Sequence, residues 1–318
     1  MLLLTGIVSY NYTNTSYAKW SSSIESKNTI KVYVKAEKSA SEFVQDNVGI
    51  GGLEEITHEI DDTLQVDSKF ATEYRYRGGN VNNYVTFNNE TWRIIGIIPT
   101  EDTDGNVENR FKIIRDESIG QNYWNSGVIN IWKNASLNGY LNNSNTTSYY
   151  TTISDIAKNM IGSTKYYYGG YTSTDISTET MWQCERKREN KIGSTYFYST
   201  TGENAGNISG ITNLAIMYAS DYGYAASKEC TNNLGKYSNS NLCKTINNWL
   251  DKQLNEWLFT PSSFNETSAF SVGSSSTIYN ASSVKTKYEV RPVVTLLSSV
   301  KISGGSGTSS DPYTLSVN

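Results

Sequence analysis

The residues most able to do chemistry are few. The chain has one histidine, His58, and three cysteines, Cys184, Cys230 and Cys243. A Ser-His-Asp or Cys-His nucleophilic site needs an imidazole to take the nucleophile's proton, so any such site must be built on His58. Its neighbours Glu55, Glu59, Asp61 and Asp62 form an acidic segment, which places His58 in solvent as an ordinary surface histidine. No paired His/Cys spacing exists, so no zinc site and no other cofactor is expected.

The carboxylates give no clearer centre. Glu101, Asp102, Asp104 and Glu108 cluster between two strand patterns. A calcium loop needs oxygen ligands at alternating positions, Gly at the sixth and Glu at the twelfth. Counted from Asp102, those positions hold Val107 and Ile113, so an acidic hairpin turn is expected and no metal. Asp221, beside Tyr222, fits a helix cap, a ligand contact or a calcium ligand equally. Glycoside hydrolysis needs two carboxylates in one cleft. Asp116, Asp251, Glu256 and Glu289 are free candidates, but no motif pairs any two.

Cys230 and Cys243 suit a disulfide. They enclose about a dozen Asn/Ser/Gly-rich residues, and a bridge there stabilises by ~3 kcal/mol, mainly by restricting the unfolded chain. Cys184 is left over, either buried or paired with another chain.

Aromatic residues are the best site clues. Tyr166-Tyr167-Tyr168-Gly169-Gly170-Tyr171 reads as a loop, Tyr222 and Tyr224 as a strand end, and Phe264 as the tip of a loop after Trp257 and Phe259. Tyrosines that stack on sugar faces or peptide surfaces are a usual binding device. The expected ligand-binding set is therefore Tyr166, Tyr167, Tyr168, Tyr171, Tyr222, Tyr224 and Phe264. Packing in the core is the competing role, and Trp92, Trp249 and Trp257 are assigned to it.

Charged residues make up only 18% of the 318, below the usual quarter. Tyr, Asn, Ser and Thr take their place, a composition that favours strands and hydrogen-bonding turns and is common on extracellular binding surfaces. The formal net charge is −4. The one dense basic run, Arg186-Lys187-Arg188, is bracketed by Glu185 and Glu189 and reads as a solvated helix or loop face. Nucleic acid is thereby excluded as a partner.

These elements need a scaffold. Residues 1–18 resemble a truncated export signal: Met1 to Val8 is apolar but far short of the ~20 residues of a membrane span. Ser16 and Ala18 fit the small-residue positions of a signal-peptidase site, although a basic leader is missing. No other segment is apolar enough to span a membrane, so the mature chain is expected outside the cell or at its surface. Residues 19–72 read as a β-rich lead-in and linker, with a strand over 30–36 and a turn at Gly49-Ile50-Gly51-Gly52. Residues 73–318 form the main domain.

In that domain, two strand patterns flank Asn88-Asn89, a hairpin turn. Further strands are predicted over Phe111–Arg115, Leu214–Tyr218, Trp257–Thr260, Ala269–Val272 and Tyr288–Leu297. Helices are predicted over Ala135–Leu141, from Ser154 to Ile161, and across Ile246, Trp249, Leu250 and Leu254. Residues 162–210 read as long loops with a strand or two. Helices in the middle and strands at both ends give an α+β fold with the terminal strands in one sheet.

Several segments resemble a large group of exported, Tyr/Asn-rich bacterial surface proteins. They are Tyr74-Arg75-Tyr76-Arg77-Gly78-Gly79, Asn82 to Asn88, Trp92 to Gly96, Lys112 to Arg115, Leu137 to Asn142, Ser220 to Ala225 and Val290-Arg291-Pro292-Val293-Val294. Their order is similar to C-type-lectin-like domains, in the branch that includes formylglycine-generating enzymes. The resemblance implies paired termini and long loops that form a ligand surface. Those enzymes work through a cysteine pair, but their flanking motif is not recognisable here, so a structural disulfide is expected.

The expected function is non-catalytic binding of a glycan or of a host or bacterial surface protein, as in an adhesin. The alternatives are an exported enzyme acting on glycans or thiols, and a structural or pilus-like subunit in which the lead-in adds a strand to a neighbour.

Overall fold

The computed structural model describes residues 37–60, 68–187 and 209–317, with the short pairs 191–192 and 195–196. The signal-like segment 1–18, the predicted strand over 30–36, Asp61-Asp62 and Arg188 lie outside the described residues.

Ser39 starts α1 (Ala40–Asn47) with a capping box: its hydroxyl accepts the Glu42 amide, and the Glu42 carboxylate accepts the Ser39 amide at 2.9 Å. The helix buries Phe43 and Val44. Phe43 sits edge-on to Phe111 and Tyr313. Gly49, Gly51 and Gly52, all at positive φ, turn the chain into β1 (Leu53–Thr57). β1 pairs antiparallel with β2 (Thr72–Tyr76). Residues 53–57, expected in a linker, thus form a strand of the main sheet, and Glu73 falls inside β2.

β3 (Tyr84–Phe87) and β4 (Glu90–Glu101) are joined through Asn88 and Asn89, at φ 54 and 59. This is the expected two-residue turn, and Asn is one of the few side chains that tolerate that conformation. β5 (Val107–Arg115) returns from the acidic turn, where the Asp102 carboxylate accepts the amides of Asp104 and Asn106 at 2.8 and 2.9 Å. β6 (Gln121–Tyr123) and α2 (Ser136–Asn142) follow. The next predicted helix is a single turn, α3 (Asp155–Lys158), capped by Ser154. Ile156, expected on its apolar face, is 73% exposed.

β7 (Thr164–Tyr167) lies in the stretch expected to be loops with a strand or two, and α4 (Thr178–Arg186) is a helix not expected there. The short strands β8 (Lys191–Ile192) and β9 (Thr195–Tyr196) pair with each other. β10 (Ser209–Thr212) pairs with β7. The strand predicted to Tyr218 stops as β11 (Leu214–Ala215), and α5 (Ala219–Tyr224) takes over. The helix predicted around Trp249 is absent: that stretch is a short 3-10 turn and irregular backbone. Its side chains compete for the backbone, because Asn248 bonds the Tyr222 and Cys243 carbonyls and the Leu250 amide, and Asp251 takes the Thr245 and Gln253 amides.

β12 (Glu256–Pro261), β13 (Ser268–Val272) and β14 (Ile278–Ser283) come next. The long strand predicted from Tyr288 splits into β15 (Lys287–Glu289) and β16 (Val293–Thr295), interrupted at Arg291-Pro292. Proline cannot donate to a ladder, and the chain changes sheets there. β17 (Lys301–Gly304) and β18 (Thr314–Ser316) close the chain as a pair.

The main sheet runs β1-β2-β4-β5-β16-β11 with β3 also on β4, and a second runs β14-β13-β12-β15-β6. A C-terminal strand, β16, therefore lies beside β5. The architecture is α+β. Trp92, Trp124, Trp182 and Trp257 are fully buried, and Trp249 nearly so. No helix among the described residues is long and apolar enough to cross a membrane.

Candidate functional site

The densest polar chemistry lies between the main sheet and the helices α4 and α5. Glu73 and Arg75, two apart on β2, point to one face and are both buried. Arg75 bonds Glu73 through Nε and Asp221 Oδ1 through Nη1 at 2.8 Å. Asp221 Oδ2 takes the Lys112 ammonium at 2.5 Å and the Tyr218 amide at 2.8 Å. Asp221 thus caps α5 and joins two cations. Burial raises its pKa, but Lys112 and Arg75 outweigh burial and leave it lowered. Burial also lowers the Lys112 pKa, against the pull of Asp221.

His58 completes this network and is not a surface residue. It is 3% exposed. Its Nδ1 is 2.7 Å from Glu179 Oε2 and its Nε2 is 2.9 Å from Glu73 Oε1. Its partners come from β2 and α4. Burial disfavours the imidazolium, yet the Glu179 and Glu73 carboxylates prevail and raise the His58 pKa. Tyr224 donates its hydroxyl to Glu179 at 2.6 Å.

Two members of the basic run, Arg186 and Lys187, are likewise not solvated. Arg186 and Lys187 are 8% and 3% exposed. Arg186 stacks over Trp182 at 4.4 Å. Glu185 accepts the Ser220 amide at 3.1 Å and the Thr260 hydroxyl at 2.6 Å, and burial raises its pKa. Of the four other carboxylates, Glu256 and Glu289 are neighbours across β12 and β15, and each is held by partners of its own. Glu256 makes a two-pronged pair with Arg291, both bonds 2.8 Å. Glu289 bonds Ser118 and Gln121. Asp116 pairs with Lys252 at 2.7 Å, and Asp251 holds backbone amides.

The aromatic set divides. Tyr166, Tyr167 and Tyr168 are buried on and beside β7, and Tyr222 and Tyr224 are buried on α5. Five of the seven residues expected at a binding face therefore sit inside, because β7 and α5 pack where loop and strand end were expected. The remaining two lie on adjoining segments, where Tyr171 bridges to Ser262. The Ser263 amide bonds the Tyr171 carbonyl at 3.3 Å, and Phe264 beside it is 74% exposed. Asn130 fastens this loop: its side-chain amide donates to the carbonyls of Ser262 at 2.9 Å, Asn265 at 3.3 Å and Ser268 at 2.6 Å. Val128, 55% exposed, sits two residues away from that anchor. Asn130 was missed in the sequence because three acceptors more than 130 residues distant leave no local signal.

Cys230 and Cys243 form the expected disulfide, and Cys184 is free and buried. No group of metal-ligating residues occurs among the described residues. No protein-family model matches the chain, and neither a curated protein nor a solved structure matches it.

Proposed function

We propose that the chain is an exported surface protein with a C-type-lectin-like domain, which binds a glycan or a surface protein without catalysing a reaction on it. The observation that carries this reading is the pinned loop at Pro261–Ser268. An exposed phenylalanine costs solvation, and a loop held by three bonds from one side chain loses little further freedom on binding. Tyr171 and Val128 flank it on tethered backbone. The Cys230–Cys243 bridge supports an oxidising, extracellular setting.

The test is binding of the full chain to a glycan array and to matrix proteins. A saturable ligand is expected, with affinity reduced about 30-fold by Phe264→Ala, the effect of an aromatic anchor of ~2 kcal/mol. Asn130→Ala keeps Phe264 but frees its loop, and a smaller loss is expected. Absence of any saturable ligand, or an unchanged affinity in Phe264→Ala with its circular dichroism intact, overturns the reading.

A further inference from the structure

A small recess of about 40 Å³ opens between the end of β4, β7, α4 and β16. Its lining includes Lys112, Arg186, Tyr166 and Thr295. These side chains are almost all donors, and most of their donor capacity is unused. An ammonium carries three N–H groups and a guanidinium five. Lys112 donates one N–H to Asp221, and the Tyr218 ring lies 4.8 Å from the same nitrogen. No other acceptor meets Lys112 among the described residues. Among the described residues, Arg186 donates one bond, to the Trp182 carbonyl at 3.3 Å, and Glu185 Oε2 lies 3.9 Å away, beyond hydrogen-bond range.

The Tyr166 hydroxyl is the second, independent sign. It is buried and makes no well-aligned hydrogen bond, with the Thr295 side chain as a near polar neighbour. A buried hydroxyl without a partner is costly and rare. The charge balance points the same way. Asp221 is shared by Arg75 and Lys112. Glu185, the carboxylate nearest Arg186, is pushed toward its neutral form by burial. Glu101, the one carboxylate in the lining, is engaged by Lys165 at 2.7 Å and by the Tyr167 hydroxyl.

We infer that this recess binds a small oxyanion, a phosphate, sulfate or carboxylate group, held by the Lys112 ammonium, the Arg186 guanidinium and the Tyr166 hydroxyl. Oxyanions accept several charge-assisted bonds at once, which a single water cannot do with its two lone pairs. The recess lies on elements other than those that carry Phe264, so the two sites are separate.

The experiment is calorimetric titration of the full chain with sodium phosphate, sulfate and acetate at fixed ionic strength, with chloride as reference. One ion per chain is expected, with a dissociation constant of about 1 mM or tighter for at least one of the three. Tyr166→Phe removes only the hydroxyl, and Arg186→Gln removes the guanidinium with its charge and its stack on Trp182; each is expected to weaken binding about 5-fold or more, while Phe264→Ala leaves it unchanged. A sulfated monosaccharide run beside inorganic sulfate separates a free ion from an oxyanion carried on a sugar, and binding of either supports the site. Tryptophan fluorescence verifies that each variant is folded. No saturable binding of any oxyanion to the wild-type chain, or wild-type affinity in both Tyr166→Phe and Arg186→Gln, overturns the proposal.

Discussion

His58 lies flat on Trp182, with ring centroids 3.5 Å apart and planes 11° apart. A carboxylate stands at each ring nitrogen, Glu179 on one side and Glu73 on the other. The stacked indole keeps water from the ring faces, and the carboxylates favour its charged form. His58 thereby ties β2 to α4, and Arg75 and Asp221 extend the tie to α5.

This arrangement makes stability depend on pH with a definite sign. The folded-state pKa of His58 is raised above its ordinary value of about 6.5. Its contribution is therefore complete below that value and is lost as pH rises through the higher folded-state pKa. Glu73 and Glu179 are lowered, so their contributions act above the ordinary glutamate pKa of about 4.3 and vanish as pH falls. Urea midpoints measured across pH are expected to peak in the mildly acidic range and to fall on the alkaline side. His58→Gln should flatten that alkaline limb. A wild-type midpoint that does not change from neutral to alkaline pH would falsify this account.

Arg291 and Glu256 are both buried and bonded to each other twice at 2.8 Å, and Arg291 also donates to the Leu250 carbonyl at 2.7 Å. Removing one partner strands the other charge in the core. Arg291→Met is expected to cost roughly 3–5 kcal/mol, while the pair Arg291→Met with Glu256→Leu should recover much of that loss. Chemical denaturation of the two single variants and the double closes the cycle. Simple additivity of the single losses would show that the pair is not coupled as drawn.

What was legible in the sequence was local. Asn88-Asn89 announced its turn because few other residues accept positive φ in succession, and the Asp102 turn and α2 followed from short patterns. The buried network was not legible, because each member looks ordinary beside its sequence neighbours. His58 stands in an acidic stretch, yet its partners lie 15 and 121 positions away. Arg186 stands in a basic run, yet Trp182 and Tyr218 cover it. α4 was hidden because its buried face includes Glu185 and Arg186, which break the apolar stripe that normally marks a helix. Tyr222 and Tyr224 were misplaced for the converse reason: tyrosine serves surfaces and cores alike, and only α5 decides between them.

The cysteines divide into one bridge and one sealed thiol, and both states are measurable. Cys230 and Cys243 close a loop across a sequence separation of 13. Reduction, or Cys230→Ser with Cys243→Ser, is expected to lower stability by about 3 kcal/mol, read as a shift in the denaturant midpoint with little change in its slope. Cys184 is 3% exposed, and burial pushes its thiol up to about 12, so almost no thiolate exists at neutral pH. Iodoacetamide should therefore leave the native chain unmodified and add one group per chain once it is unfolded without reductant. Rapid alkylation of the native chain would place Cys184 in contact with solvent and contradict its position behind Gly169, whose backbone packs against the Cys184 carbonyl.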